Sequence, residues 1–256
     1  MITTAQVPAA RPAVARRRGA PLLGPAVVSV ALFMLSVLIG VLFAGKLYAS
    51  PFADDHTVQR YFVDHPTMVG FIGLLQLGSA IALAVFTGAV CGRMRALAPA
   101  ASGYVSMAAV GGAIAATLLA VNGVVQWALS RTATGDPLSL LRTMNYLFFG
   151  LGGPAHVAAL GVLIAGICLP ATGMGLVPRW FGIASLVVAL LAVLSLVTLI
   201  RPEATVFIPL GRFPTLLWLV AVSVLLSRAR VPREGRGPRA EPGGGHADGS
   251  AVSRDL

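Results

Sequence analysis

Residues 179–200 read RWFGIASLVVALLAVLSLVTLI, and this stretch decides the fold class because no residue in it after Arg179 is charged. A helix needs about 20 mostly apolar residues to cross the hydrocarbon core of a membrane. Five other stretches of the chain show the same pattern. The whole chain is 57% hydrophobic and only 11% charged, with a mean hydropathy of +0.85. Soluble domains carry about 25% charged residues, so this composition excludes a water-soluble enzyme.

We therefore predict an all-α fold, a polytopic transmembrane bundle of six spans. The spans are expected at about residues 22–48, 66–91, 103–129, 144–169, 179–200 and 204–227. The last span is expected to be short or broken, because Pro209, Gly211 and Pro214 interrupt its beginning. Residues 21–228 form the predicted membrane domain. The flanking segments, 1–20 and 229–256, are rich in Arg, Pro and small residues, and we predict that both are disordered basic tails.

The basic residues predict the orientation of the chain. The sequence has 19 Lys and Arg residues against 9 Asp and Glu, a net charge of +10. Most of the basic residues fall in the two tails and in the loops on the same side. The positive-inside rule then places both termini in the cytoplasm. We expect anionic lipid headgroups, and not nucleic acid, to be the partner of the Arg-rich tails.

The six predicted spans contain no Asp or Glu. Cation-coupled carriers usually relay charge through an intramembrane carboxylate, and aspartyl intramembrane proteases need two. The chain also lacks a His-Glu-x-x-His zinc motif, and one histidine inside the spans is too few for a haem held between two helices. We therefore predict no catalytic residue, no metal site, no cofactor and no enzymatic activity.

A few polar side chains do lie within the predicted spans, and they are the candidate binding residues. Asn122 and Gln126 are four residues apart and share one helix face. Asn145 and His156 would lie on one stripe of the fourth span if that helix were unbroken. The complete candidate set is His156, Gln76, Asn122, Gln126, Asn145 and Arg212.

His156 follows Gly150-Leu151-Gly152-Gly153-Pro154, a sequence that weakens a helix and removes a backbone donor at the proline. Two interpretations follow. Backbone carbonyls released by a broken span can bind ions or solutes. The more common alternative is a structural histidine that is hydrogen-bonded to Gln76 or Asn122 across the bundle.

The position of Arg212 depends on where the last span begins. If the helix starts near residue 204, Arg212 lies just beneath the outer interface, where it can snorkel or pair with Glu203. If the helix starts at Pro214, Arg212 is a loop charge. A loop or interface position is favoured over a role as a substrate anchor.

The first outer loop, residues 50–65, carries Val58, Tyr61 and Phe62 at the spacing of one helix face. Acidic residues precede them, as at a helix start. This pattern predicts a short amphipathic helix on the outer surface.

The arrangement of motifs also resembles a known class of proteins. The outer loop ends in Tyr61-Phe62-Val63-Asp64-His65-Pro66, and the fifth span opens with Pro178-Arg179-Trp180-Phe181-Gly182. Together with the Arg-rich N-terminal tail and six apolar spans, these motifs resemble uncharacterised bacterial six-span membrane proteins of a domain-of-unknown-function family. The resemblance implies a multi-pass location in the bacterial cytoplasmic membrane. It supplies no site residue.

The sequence favours a non-enzymatic accessory or sensing component that works with a membrane-protein partner or as a homo-oligomer. A second hypothesis is a facilitator for a small neutral or anionic solute, with a cavity near His156. A third is a membrane-embedded enzyme that modifies lipid through His156.

Overall fold

A computed structural model describes residues 21–45, 50–132, 135 and 137–229, and all regular structure within these ranges is helical. The α-helices are α1 (Leu23–Ala44), α2 (Asp55–Asp64), α3 (Pro66–Leu97), α4 (Ser102–Thr132), α5 (Leu138–Gly150), α6 (His156–Gly173), α7 (Arg179–Leu194) and α8 (Phe207–Arg228). Nearly all of both predicted tails, and the predicted end of the first span near residue 48, lie outside the described residues.

Six helical segments are long and apolar enough to cross a membrane. They are Leu23–Ala44, Pro66–Leu97, Pro99–Thr132, Leu138–Gly173, Arg179–Leu199 and Pro202–Arg228. The predicted all-α bundle of six spans is thus confirmed, and the fold is that of a multi-pass membrane protein. The second, third and fourth segments extend several residues beyond the predicted limits.

Helices α3 and α4 cross at very short range through a pair of glycines. A Cβ atom added to Gly73 would lie 2.6 Å from the carbonyl oxygen of Gly123, and one added to Gly123 would lie 2.6 Å from the carbonyl oxygen of Gly73. Small residues permit this approach of two backbones inside a membrane. The crossing lies one turn or less from the polar residues of both helices, so it brings those side chains within reach of each other.

The fourth span is interrupted, as Pro154 and the glycines before it predict. A π-helical turn, Leu151–Ala155, separates α5 from α6, and Gly153 has the non-helical angles φ −89° and ψ −107°. Pro154 has no backbone N–H to donate to the preceding turn. The break is buried within the bundle. The carbonyl group that an unbroken helix would pair with residue 154 therefore needs another partner.

The last span begins with a 3-10 helix, Pro202–Val206, and continues as α8 from Phe207. Arg212 consequently lies inside a helix and is not a loop residue, which rejects the start at Pro214 and leaves the alternative in which the span begins near residue 204. At the other end, the Arg93 guanidinium donates to the carbonyl oxygens of Leu226 and Ala229. These bonds satisfy carbonyls that a helix C-terminus leaves without an intrahelical partner.

The predicted amphipathic helix of the outer loop is present as α2. Asp54 accepts from the backbone N–H and the hydroxyl of Thr57, at 2.9 and 2.8 Å. This N-cap lowers the pKa of Asp54 below its usual value. The apolar face, Val58, Tyr61 and Phe62, is buried against the ends of α3, α4 and α5 and does not lie free on a membrane surface.

The two ends of the described chain lie at one side of the bundle. The Ser223 hydroxyl near the end of α8 donates to the Leu22 carbonyl oxygen before α1, at 3.4 Å. Helix α2 lies at the opposite side, which we call the α2 side. The side that holds the ends of the chain is called the terminal side.

Candidate functional site

Three amide side chains form a cluster between α3 and α4. Gln76 Oε1 accepts from Asn122 Nδ2 at 2.6 Å and from Gln126 Nε2 at 2.7 Å. Asn122 and Gln126 are almost completely buried. The spacing of Asn122 and Gln126 predicts their shared face, and the glycine crossing explains why Gln76 reaches both. In this cluster Asn122 Oδ1 is left without a hydrogen-bond partner in the described structure.

The amide cluster lines a cavity of about 50 Å³ in the half of the bundle that carries α2. One water needs about 10–15 Å³ by this measure, so the cavity has room for a few water-sized groups. Its lining consists of Phe33, Ser36, Val37, Ile72, Gln76, Asn122, Gln126, Phe148, Phe149, Gly152, Gly153, Ile208 and Arg212. We call it the amide cavity. Within the described part of the chain its lining includes a cation and no carboxylate.

Arg212 extends from α8 to the break in the fourth span. Its Nη2 donates to the carbonyl oxygen of Gly152, and the carbonyl oxygen of Gly153 lies 3.4 Å from the same nitrogen. The guanidinium carbon also lies 5.1 Å from the centre of the Phe33 ring, a cation–π distance. Two backbone carbonyls of the break thus accept from a cationic side chain of the protein itself. Binding of an external ion or solute at the break stays a hypothesis.

Gly152 connects the arginine to the amides. Its carbonyl oxygen accepts from Arg212, and a Cβ atom at this position would lie only 2.5 Å from Asn122 Nδ2. The absence of a side chain at Gly152 thus allows the Asn122 amide to lie directly against the backbone of the break. The Arg212 guanidinium, the backbone of the break and the three amide side chains thus form one continuous polar surface.

A second, narrower cavity of about 10 Å³ lies next to the first. It is lined by Ser29, Phe33, Ser79, Leu83, Leu119, His156, Leu160, Arg212, Leu216 and Leu219. We call it the histidine cavity. Phe33 and Arg212 belong to both linings and therefore lie between the two cavities.

The structure places His156 and Asn145 outside the amide cavity. His156 is buried, and its Nδ1 lies 2.8 Å from the Ala115 carbonyl oxygen, a different partner from the predicted Gln76 or Asn122. Asn145 is 1% exposed, and neither atom of its amide has a hydrogen-bond partner among the described residues. The break at Gly153 removes the single stripe that an unbroken helix would give these two residues.

Two contributions to the site have no counterpart among the predicted residues. Phe33 and Ser36 lie on α1, where a uniformly apolar run gives no reason to single out one phenylalanine. Gly152 contributes its carbonyl group, and the sequence signal for it is the Gly-Gly-Pro run that predicts the break. Arg212 is one of the predicted residues. Its contact with the break depends on where α8 begins, and Pro209 and Pro214 make that start hard to predict.

No family model, curated protein or solved structure matches this chain. The resemblance to uncharacterised six-span proteins therefore stays an expectation, and every functional argument below starts from the geometry of this bundle.

Proposed function

We propose that this is a non-enzymatic membrane protein that binds a small organic anion with a hydroxyl group in the amide cavity. One observation carries the proposal: a guanidinium, three amides and the carbonyls of a broken helix line a single cavity within an apolar bundle. Such groups are costly inside a membrane and mark ligand or ion pathways.

The charge of the lining favours an anion. Arg212 contributes a full positive charge, and the described lining contributes no carboxylate to offset it. In a site of low dielectric constant, an anion within about 4 Å of this guanidinium is attracted far more strongly than in water.

The amides favour a ligand that has both a hydrogen-bond donor and acceptors. Asn122 Oδ1 is a buried acceptor without a partner in the described structure, and a buried polar atom in that state costs about 1–3 kcal/mol. A hydroxyl group can donate to it. Gln76 uses its Oε1 for two neighbours, which leaves its amide N–H groups to donate to carboxylate oxygens. A 2-hydroxy carboxylate such as glycolate has this combination and fits the size of the cavity.

The proposed function includes an orientation of the bundle in the membrane and a location in the cell. The positive-inside rule places the terminal side in the cytoplasm of a bacterium and the α2 side outside. The amide cavity then lies in the outer half of the cytoplasmic membrane, and the Arg-rich tails lie against anionic lipids of the inner leaflet.

The test is ligand binding by the purified full chain in detergent, measured as a shift of the thermal unfolding midpoint with glycolate, acetate or urea. A ligand that binds only the folded state raises this midpoint. We expect glycolate to stabilise the protein most, acetate less and neutral urea at equal millimolar concentration not at all. The Arg212→Gln variant should bind glycolate about 10- to 100-fold more weakly, the loss of a charged hydrogen bond.

The Asn122→Ala variant provides a second readout if Arg212→Gln fails to fold. It should weaken glycolate binding and leave acetate binding nearly unchanged, because only glycolate donates to Asn122. Gly88→Ala is the matched control, since a Cβ atom there meets nothing within 4 Å. A folded protein that none of the three solutes stabilises would overturn the proposal. The search would then turn to a membrane partner that copurifies.

A further inference from the structure

The two cavities lie in series along the bundle axis. On every helix that lines both cavities, the residues of the histidine cavity lie closer to the terminal side than those of the amide cavity. The pairs, amide cavity first, are Ser36 and Ser29 on α1, Gln76 and Ser79 on α3, Asn122 and Leu119 on α4, and Ile208 and Leu216 on α8. The fourth span shows the same order, from the break at Gly152 to His156 at the beginning of α6. Five spans thus surround one row of two cavities.

Phe33 and Arg212 form the partition in this row. Both side chains line both cavities, and the guanidinium lies 5.1 Å from the centre of the ring. A cation–π contact of this kind contributes only about 0.5–2 kcal/mol. The same guanidinium is also held by the carbonyl oxygens of Gly152 and Gly153, so the partition opens only when an anion replaces these contacts as well.

The histidine cavity has polar groups with which a solute could form hydrogen bonds after it leaves the amide cavity. Its lining includes His156 and the reciprocal pair in which Ser29 Oγ donates to the Ser79 carbonyl oxygen at 3.1 Å and Ser79 Oγ donates to the Ser29 carbonyl oxygen at 2.8 Å. Its volume of about 10 Å³ is close to the minimum for one water. Farther toward the terminal side, the fully buried side chains of Phe86, Val90 and Leu226 belong to the main hydrophobic core of the bundle.

We propose that the bound anion is carried across the membrane along this row, and that the Phe33–Arg212 pair is the gate between its two cavities. This inference rests on the proposed function, because the amide cavity is the entry site. Arg212 moves with the anion from the carbonyls of the break toward His156, and the narrow cavity widens as the bundle opens toward the terminal side. We further propose that the anion moves down its own gradient, as in an uncoupled facilitator. The described linings contain no carboxylate to bind a coupling cation, and the uptake experiment tests whether the His156 imidazole relays a proton.

The test is uptake of labelled glycolate by liposomes that contain the full chain, with binding measured in parallel by thermal shift. Uptake should exceed that of empty liposomes and should not change when a proton or sodium gradient is imposed. The decisive variant is His156→Leu, which removes a polar group from the histidine cavity alone. We expect at least about a tenfold loss of uptake, equivalent to about 1.4 kcal/mol in the barrier, with glycolate binding unchanged.

Phe33→Leu tests the gate separately, because it removes the ring that holds the guanidinium. Uptake should rise severalfold while the preference for glycolate over urea is kept. Gly88→Ala again serves as the matched control, and Phe33→Leu keeps the inference testable if His156→Leu does not fold. Glycolate binding without uptake would overturn this inference and leave the proposed function intact. Absence of binding would instead overturn the proposed function itself.

Discussion

At the scale of the residue, Gly152 is the position on which the site depends most directly. Its carbonyl oxygen accepts from Arg212, and the Asn122 amide lies where a side chain would otherwise begin. A substitution here therefore affects the position of the charge and of the amides together. The role of Gly152 follows from a close approach of a neighbouring helix and not from an unusual dihedral angle.

The Gly152→Ala substitution should abolish glycolate binding while the bundle still forms. Its Cβ atom would lie 2.5 Å from Asn122 Nδ2, so Asn122 must leave its hydrogen bond to Gln76 or the break must shift. Overpacking of this kind costs about 1–3 kcal/mol. Thermal unfolding with and without glycolate measures both effects, and we expect a lower midpoint and no response to the ligand.

Gly150→Ala is the matched control for this substitution, because Gly150 is the last residue of α5, two residues away and directly before the break, and a Cβ atom there meets nothing within 4 Å. It should bind glycolate as the parent protein does. Equal binding by both alanine variants would show that the contact between Gly152 and Asn122 does not shape the cavity.

Only some of the contacts in the amide cavity can be predicted from the sequence. The spacing of Asn122 and Gln126 predicts one polar face, and the structure confirms that face. That Gln76 joins them depends on where α3 crosses α4, and no pattern within one helix encodes a crossing point. Likewise, the partner of Arg212 lies about 60 residues away in the chain, so the sequence gives the charge but not its contact.

At the scale of the element, the crossing of α3 and α4 determines the geometry of the amide cluster. Gly73 and Gly123 bring two backbones into contact, and lipid provides little hydrophobic drive for such an approach. Packing and interhelical hydrogen bonds must then hold the pair, and both depend on small residues at the crossing.

The Gly73→Ala substitution should push α3 and α4 apart. Its Cβ atom would lie 2.6 Å from the Gly123 carbonyl oxygen, and a backbone atom cannot move aside as a flexible side chain can. We expect a loss of about 1–3 kcal/mol of stability and a longer separation of Gln76 from Asn122. The thermal unfolding midpoint reports the first effect, and glycolate affinity reports the second.

Gly88→Ala lies on the same helix and provides the comparison, because its Cβ atom meets no neighbour. Alanine is a better helix former than glycine by up to about 1 kcal/mol, so this variant should be as stable as the parent protein or slightly more stable. A Gly73→Ala protein as stable as Gly88→Ala would contradict the proposed crossing.

Elements differ in how well their sequence predicts them. Helix α2 follows from an acidic cap and an apolar face at helical spacing, and the break follows from Gly152, Gly153 and Pro154. The start of α8 is harder to predict, because Pro209 lies in its first turn and Pro214 lies inside it. Helix α8 packs against α7 and α1, and such tertiary contacts stabilise a helix that lacks a backbone donor at Pro214, an effect that local propensity does not contain.

At the scale of the whole molecule, the apolar stretches along the sequence predict the six spans, because a membrane imposes one requirement on every segment that crosses it. The order of the spans around the cavities cannot be predicted in the same way. Hydropathy treats all apolar faces alike, so it cannot tell which faces pack against each other and which face lipid. The row of two cavities arises from that packing and is visible only in the assembled bundle.

The orientation of the bundle in the membrane is the last property to test, and it decides which compartment supplies the anion. His56 on α2 and Met174 between α6 and α7 lie at opposite sides of the bundle, and both are exposed. In a background with Cys91→Ser and Cys168→Ser, a cysteine at position 56 should react with a membrane-impermeant thiol reagent in intact cells. A cysteine at position 174 should react only after the cells are permeabilised. The positive-inside rule predicts this result from the basic tails and the Arg93 and Arg179 loops. The reverse labelling pattern would turn the amide cavity toward the cytoplasm, and the proposed facilitator would then take up its anion from inside the cell.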